Sequence, residues 1–172
     1  MMQNLYPYYT VKQPASIECI IRKSRFLAHV ASVQTREEAE AFLQQIRKQH
    51  PQATHNCYAY IIDPQEQKAS DDGEPQGTAG RPILEIVRAK ECIRTAVVVT
   101  RYFGGIKLGK GGLVRAYQQA TKEVLEKAGI VQKHLFQKVL IRFPYDFFGN
   151  IEYHLHQSKD YQPEEPYFDQ HV

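Results

Sequence analysis

Tryptophan is absent from this chain of 172 residues, methionine occurs only twice and cysteine only three times. The cysteines, Cys19, Cys57 and Cys92, are odd in number and lack C-x-x-C spacing. This argues against a disulfide framework and a zinc ribbon, and the three read as reduced structural thiols. No apolar run approaches a membrane span, and the opening MMQNLYPYYT has neither a basic n-region nor an apolar h-region. No membrane association and no leader are therefore expected, and the chain is placed in the cytoplasm. Net charge is also small: a formal +3 and a pI near 8.7 are too mild to identify a nucleic-acid binder by themselves. With 42% apolar and 24% charged residues, the composition excludes disorder and is that of an ordinary globular protein.

One more shortage is local. Residues 101–117, RYFGGIKLGKGGLVRAY, contain no Asp or Glu, while carrying Arg101, Lys107, Lys110 and Arg115. The apolar run before them reads as a strand and the residues after them as an amphipathic helix. The segment is thus a glycine-rich basic loop opening a helix. Amides of Gly104, Gly105, Gly109, Gly111 and Gly112, the positive end of the helix dipole and the four cations all favour an oxyanion. Gly104 and Gly109-Lys110 satisfy the spacing of a P-loop, but Gly111 stands where a Ser or Thr would hold magnesium, so the metal apparatus of an NTPase is missing. The alternative is that these glycines serve only turns and packing.

Two strands around Ile17–Arg22 and Phe26–Val33 flank the basic turn Lys23-Ser24-Arg25. Thr35 and Glu38 form a capping box, and Ala39, Phe42, Leu43 and Ile46 recur at helical spacing, which predicts a helix over 36–49. A strand follows over 57–63, then a polar loop to residue 80, and a helix from Pro82 to about Cys92. Ala96–Val99 shows no alternation, as expected of a central strand covered on both faces. Leu113, Tyr117, Ala120, Val124 and Ala128 line the last long helix, capped by Gly129. A domain break is expected near residue 131, separating 1–131 from 132–172. Beyond it a strand is predicted over Lys138–Phe143, a helix over Asp146–Gln157, and an extended acidic tail from Tyr161. About forty residues are thin for an independent core, so this piece should lean on a neighbour.

Other constellations are weighed against plainer roles. His55 and Cys57 share one face of a strand and suggest a nucleophile pair or metal ligands, but no partner spacing supports either, and core packing is the better reading. Asp71, Asp72 and Glu74 suggest a general base, a metal site or a gate over the basic loop; the Asp72-Gly73 pair equally reads as a tight turn. Tyr102 and Phe103 interleave aromatic and basic groups as RNA surfaces do, with one ring expected buried and one exposed.

The blocks KSRF with AHV (23–30), HNCYAY (55–60), DDGEPQGTAGRPIL (71–84) and VVVTRYFGGIKLGKGGLVRAY (97–117) resemble the signature blocks of the YigZ/IMPACT family. The resemblance spans about residues 15–130. It implies an α+β protein whose first domain has the ribosomal protein S5 domain 2-like fold, a sheet with helices on one face. Bacterial members add a ferredoxin-like domain similar to the last domain of elongation factor G, and residues 135–172 are similar to its opening β-α-β. Eukaryotic members share the first domain and regulate translation by competing for a scaffold that activates a stress kinase; they carry an extra N-terminal domain not seen in this sequence, so that partner is not expected to carry over.

The leading expectation is a non-catalytic, cofactor-free cytosolic module that engages RNA or the ribosome through Arg101, Lys107, Lys110, Arg115 and the five glycines, with Thr78 and Arg81 as a second anchor. The competing expectations are a phosphotransferase or hydrolase using Asp71 or Asp72 as base, and a protein-interaction module in translational control.

Overall fold

A computed structural model describes residues 7–134, 136–158 and 164–168 and shows an α+β architecture. In chain order the elements are β1 (Tyr8–Val11), β2 (Ala15–Ile21), β3 (Ser24–Ser32), α1 (Arg36–Gln49), β4 (His55–Ile61), β5 (Gln67–Ser70), α2 (Gly80–Ala89), β6 (Thr95–Tyr102), α3 (Lys110–Ala128) and β7 (Ile130–Lys133). A single 3-10 turn (Tyr145–Phe147) and α4 (Phe148–Gln157) follow. By contact density the chain divides into two units, Met1–Leu135 and Phe136–Val172.

Five strands form one antiparallel sheet in the order β2-β3-β6-β4-β5. The run Ala96–Val99 lies in β6, the middle strand, and is buried throughout. Its missing alternation has a direct cause: both faces of the sheet are covered. On one face Phe26, Ala28, Val30, Cys57, Ala59, Val97 and Val99 pack with α2 and α3, through Ile83, Val87, Leu113, Tyr117 and Val124. On the other, Tyr58, Tyr60, Ala96 and Val98 pack with Ala39, Leu43 and Ile46 of α1. Each such large apolar side chain contributes about 1.5–3 kcal/mol on burial. The expectation of helices on one face is thereby corrected, because the apolar stripe of α1 needs its own surface and finds it on the far side.

The capping box is present: Thr35 Oγ1 accepts from the Glu38 amide at 3.3 Å, and the Glu38 carboxylate accepts from the Gln34 amide at 2.7 Å. At the C-terminus of α3, Gly129 takes φ +70° and closes the helix. Three short strands were not predicted. β5 pairs with β4, and β1 pairs with β7 in a separate two-stranded sheet. In the second unit α4 forms within the predicted range, but Lys138–Phe143 is irregular, exposed through Arg142 and half-buried at Phe143. A strand needs a ladder partner, and none is seen among the described residues. The predicted tail begins at Tyr161, outside the described residues, and 164–168 has no regular structure.

On the α1 face, His29 stands 5.5 Å from the His50 ring, and its Nε2 is buried without a hydrogen-bond partner. Burial, followed by the charge of His50, lowers its pKa to about 4. The unfolded chain therefore binds an extra proton between about pH 6.5 and 4, so the stability this group protects is complete above pH 6.5 and is lost as pH falls through 4. The expected loss is about 2 kcal/mol, discounted because the ring is only half-buried. Urea titrations from pH 7 to 4 should show a shallower decline for His29→Phe than for the native chain. Parallel curves would contradict this assignment.

Candidate nucleic-acid interface

Where β6 ends, the chain leaves the sheet through two anchored amides. The Phe103 amide donates to Thr54 Oγ1 at 3.0 Å and the Gly104 amide to Ser24 Oγ at 3.2 Å. Gly104 is held against the turn between β2 and β3 so closely that a Cβ there would lie 2.0 Å from the carbonyl carbon and oxygen of Lys23. The loop then runs outward through Gly105 (φ +83°) to Gly109 (φ +72°), and α3 begins at Lys110. The first helical bond is Leu113 N to Gly109 O, and no side chain caps this end. First-turn geometry leaves the amides of Lys110, Gly111 and Gly112 without helical acceptors.

Lys107, Lys110 and Arg115 are exposed around this helix start. The adjoining β2–β3 turn adds Arg22 and Lys23, also exposed, at φ +46° and +65°. Arg22 and Arg115 share the walls of a shallow depression of about 240 Å³ with Ile21, Leu108, Gly112 and Gln119. Exposed cations of the β2–β3 turn, the glycine loop and the first turns of α3 thus lie around an uncapped helix N-terminus. The contribution of Arg22 was missed from sequence, since only the packing of Gly104 on Lys23 reveals that the two loops meet.

Arg101 was expected in this group and is elsewhere. It is 5% exposed, and its guanidinium donates to Glu74 Oε1 at 2.7 Å and to Ser24 Oγ at 3.3 Å. Strand register explains the placement: Phe26, Arg101 and His55 form one row across β3, β6 and β4, on the face that α3 covers. Glu74 also accepts from the Tyr117 hydroxyl at 2.8 Å and lies 3.9 Å from His55 Nε2. Gly104 is likewise corrected from cradle to contact point, because its amide is already taken by Ser24.

The second anchor is closed. Asp71 Oδ1 accepts from the Ala79 and Gly80 amides at 3.0 and 2.8 Å, and its Oδ2 from Gly77 N at 2.8 Å, so a carboxylate of the chain occupies the α2 N-terminus. Thr78 is buried, with its hydroxyl donating to Pro75 O at 2.6 Å, and Arg81 pairs with Glu85 at 2.9 Å. Asp72 accepts from Arg47 at 2.6 Å and from the Asn56 amide at 2.6 Å. Asp72 and Gly73 both have positive φ in a tight turn closed by Glu74 N to Asp71 O, which is the turn reading of this segment. With these lone pairs committed, neither aspartate is placed as a general base, and the acidic loop is braced against α1, α2, β4 and Arg101 instead of lying over the basic loop.

Cys57 is buried, its Sγ donating to Asp71 O at 2.9 Å; burial pushes the thiol up, away from a reactive thiolate. His55 Nδ1 lies 2.8 Å from the Asp72 carbonyl. Among the described residues no group of three or more His, Cys, Asp or Glu side chains is arranged to hold a metal ion, and no helix is long and apolar enough to cross a membrane. Tyr102 is half-buried, its hydroxyl 3.0 Å from His50 Nδ1, while Phe103 is 47% exposed.

Comparison with known proteins matches residues 22–125 to the Impact N-terminal domain. The chain is 48% identical over 157 residues to the IMPACT family member YvyE of Bacillus subtilis, covering 90% of this chain and 72% of that protein. It is 40% identical over 113 residues to Protein IMPACT of Mus musculus, covering 62% of this chain and 35% of that protein. A solved structure described as the crystal structure of an hypothetical protein aligns with a TM-score of 0.71 at 34% identity, over 88% of this chain and 75% of that one.

Proposed function

This chain belongs to the IMPACT family, and from that premise we propose that it is a non-catalytic cytosolic binding module that engages the phosphate backbone of RNA, free or in the ribosome, in the regulation of translation. The observation that carries the reading is an uncapped helix N-terminus in a stretch, 101–117, that is free of carboxylates and exposes Lys107, Lys110 and Arg115, with the turn bearing Arg22 and Lys23 packed beside it. Amide donors and flexible cations suit repeated phosphates and read no base sequence, so affinity without sequence selectivity is the consequence. The role in translation is what the family resemblance implies from its eukaryotic members, and this chain is 40% identical over 113 residues to Protein IMPACT of Mus musculus. The S5 domain 2-like assignment stays part of the reading, supported by α2 and α3 on one face of an antiparallel sheet, with α1 an addition on the other.

A phosphotransferase reading is disfavoured by the same geometry, since Asp71 and Asp72 spend their oxygens on backbone amides and Arg47. The test is RNA binding across a salt series. The logarithm of affinity should fall linearly with the logarithm of salt concentration as phosphate counterions are released. Salt-independent binding, or none at low salt, would contradict the proposal.

A further inference from the structure

Phe103 is the more exposed of two large apolar side chains, with Ile106, that phosphate binding leaves unused in the basic loop. It lies two residues after Arg101, just past the end of β6, and the Arg101 guanidinium carbon is 5.5 Å from its ring centroid. The same carbon is 5.5 Å from the ring of buried Phe26, so Arg101 is held between the two rings. Its charge is met by Glu74 at 2.7 Å, so it backs the Phe103 ring as a fixed, neutralised plate. The backbone on both sides of the side chain is pinned, at its own amide by Thr54 and at the next by Ser24. Despite this support from beneath, 47% of the residue faces solvent.

An aromatic ring that is rigid, backed and open on one side is a stacking platform, and its setting selects the occupant. Gly104, the next residue, packs on Lys23. Lys107 is four residues on, which limits its Cα to about 14 Å from that of Phe103. Cations are therefore near at hand along the chain, Lys23 through the contact of its backbone with Gly104 and Lys107 four residues on, to meet the phosphates of a flat group stacked there. We propose, building on the phosphate-backbone reading above, that the physiological ligand is single-stranded RNA and that an unpaired base stacks on Phe103. A duplex cannot use the ring, because its bases are already stacked against one another, whereas bases of loops and single strands are free to do so. Little ordering cost attends the contact, since the backbone on either side of Phe103 is already anchored.

The experiment compares binding of a short oligoadenylate and an RNA duplex by the full chain and by Phe103→Leu and Phe103→Tyr, with urea midpoints confirming that each variant folds. Phe103→Leu should weaken oligoadenylate binding about tenfold, leave its salt slope unchanged and leave duplex binding unaltered, while Phe103→Tyr should stay within about twofold of the native chain. Undiminished oligoadenylate binding by Phe103→Leu would overturn the stacking proposal and leave the phosphate reading standing, as would an equal loss on duplex. Failure of the native chain to bind either RNA would overturn both. Preferential capture by anionic lipid vesicles, retained in Phe103→Leu and lost in Phe103→Ser, would show position 103 to be an apolar membrane contact and overturn the proposal.

Discussion

Replacing Glu74 with alanine should cost about 3–5 kcal/mol of stability in urea unfolding, the largest effect expected of a single side chain here. Glu74 and Arg101 are 7% and 5% exposed, and their bond at 2.7 Å lies beneath the point where β6 gives way to the basic loop. Truncating the acid leaves the guanidinium buried with no carboxylate to meet it, and deprives the Tyr117 hydroxyl of its acceptor. Burial also raises the Tyr117 phenol, so this hydroxyl remains a donor and cannot supply the missing negative charge. The loss comes from the unpaired charge and not from an unusual strength of the pair. The combined variant Glu74→Leu and Arg101→Met, which removes both charges, should therefore recover most of it. A loss below about 1 kcal/mol in the single variant would mean that Arg101 finds water, and that the row Phe26, Arg101, His55 is not sealed by α3.

Gly104→Ala should destabilise by about 3 kcal/mol, at the upper end of what overpacking costs, because the added methyl would meet backbone and not a side chain that can rotate away. The atoms in its path are the Lys23 carbonyl at 2.0 Å and the Ser24 amide nitrogen at 2.5 Å. Relief requires the glycine loop and the β2–β3 turn to part, which breaks the bond from Gly104 N to Ser24 Oγ and separates Arg22 and Lys23 from Lys107 and Lys110. Gly105→Ala is the natural control. Nothing lies within 4 Å of its added methyl, and its φ of +83° imposes only the left-handed penalty of about 1–2 kcal/mol. Equal costs at the two positions in equilibrium unfolding would show that close approach at Gly104 is not what holds the loops together.

The parts of this fold that were legible in sequence are those whose signal is local. A capping box and a helical stripe lie within one short stretch, Thr35 and the fourteen residues of α1, and the unbroken apolar run of β6 reports its own double coverage. The parts that were hidden depend on partners far along the chain. β1 and β7 are four residues each and pair across some 120 positions, Tyr8 with Lys133. Neither is long enough to show alternation. Conversely, Lys138–Phe143 has the residue types of a strand and no ladder to join among the described residues.

The candidate site divides the same way. Lys107, Lys110 and Arg115 were readable from a loop without acids, but charge counting cannot tell a surface cation from a buried one. Arg101 was misplaced because its acid, Glu74, lies 27 residues earlier. Likewise, Asp71 and Asp72 drew attention as carboxylates, and only the folded chain shows that the amides of α2 and β4 had claimed them.

The salt dependence of RNA binding by the native chain and by Lys107→Ala/Lys110→Ala bears most directly on the basic loop as the phosphate contact. If both lysines neutralise phosphates, the double variant binds more weakly and its slope of log affinity against log salt is shallower by about one to two. Identical slopes in the two proteins would place the interface elsewhere on the molecule.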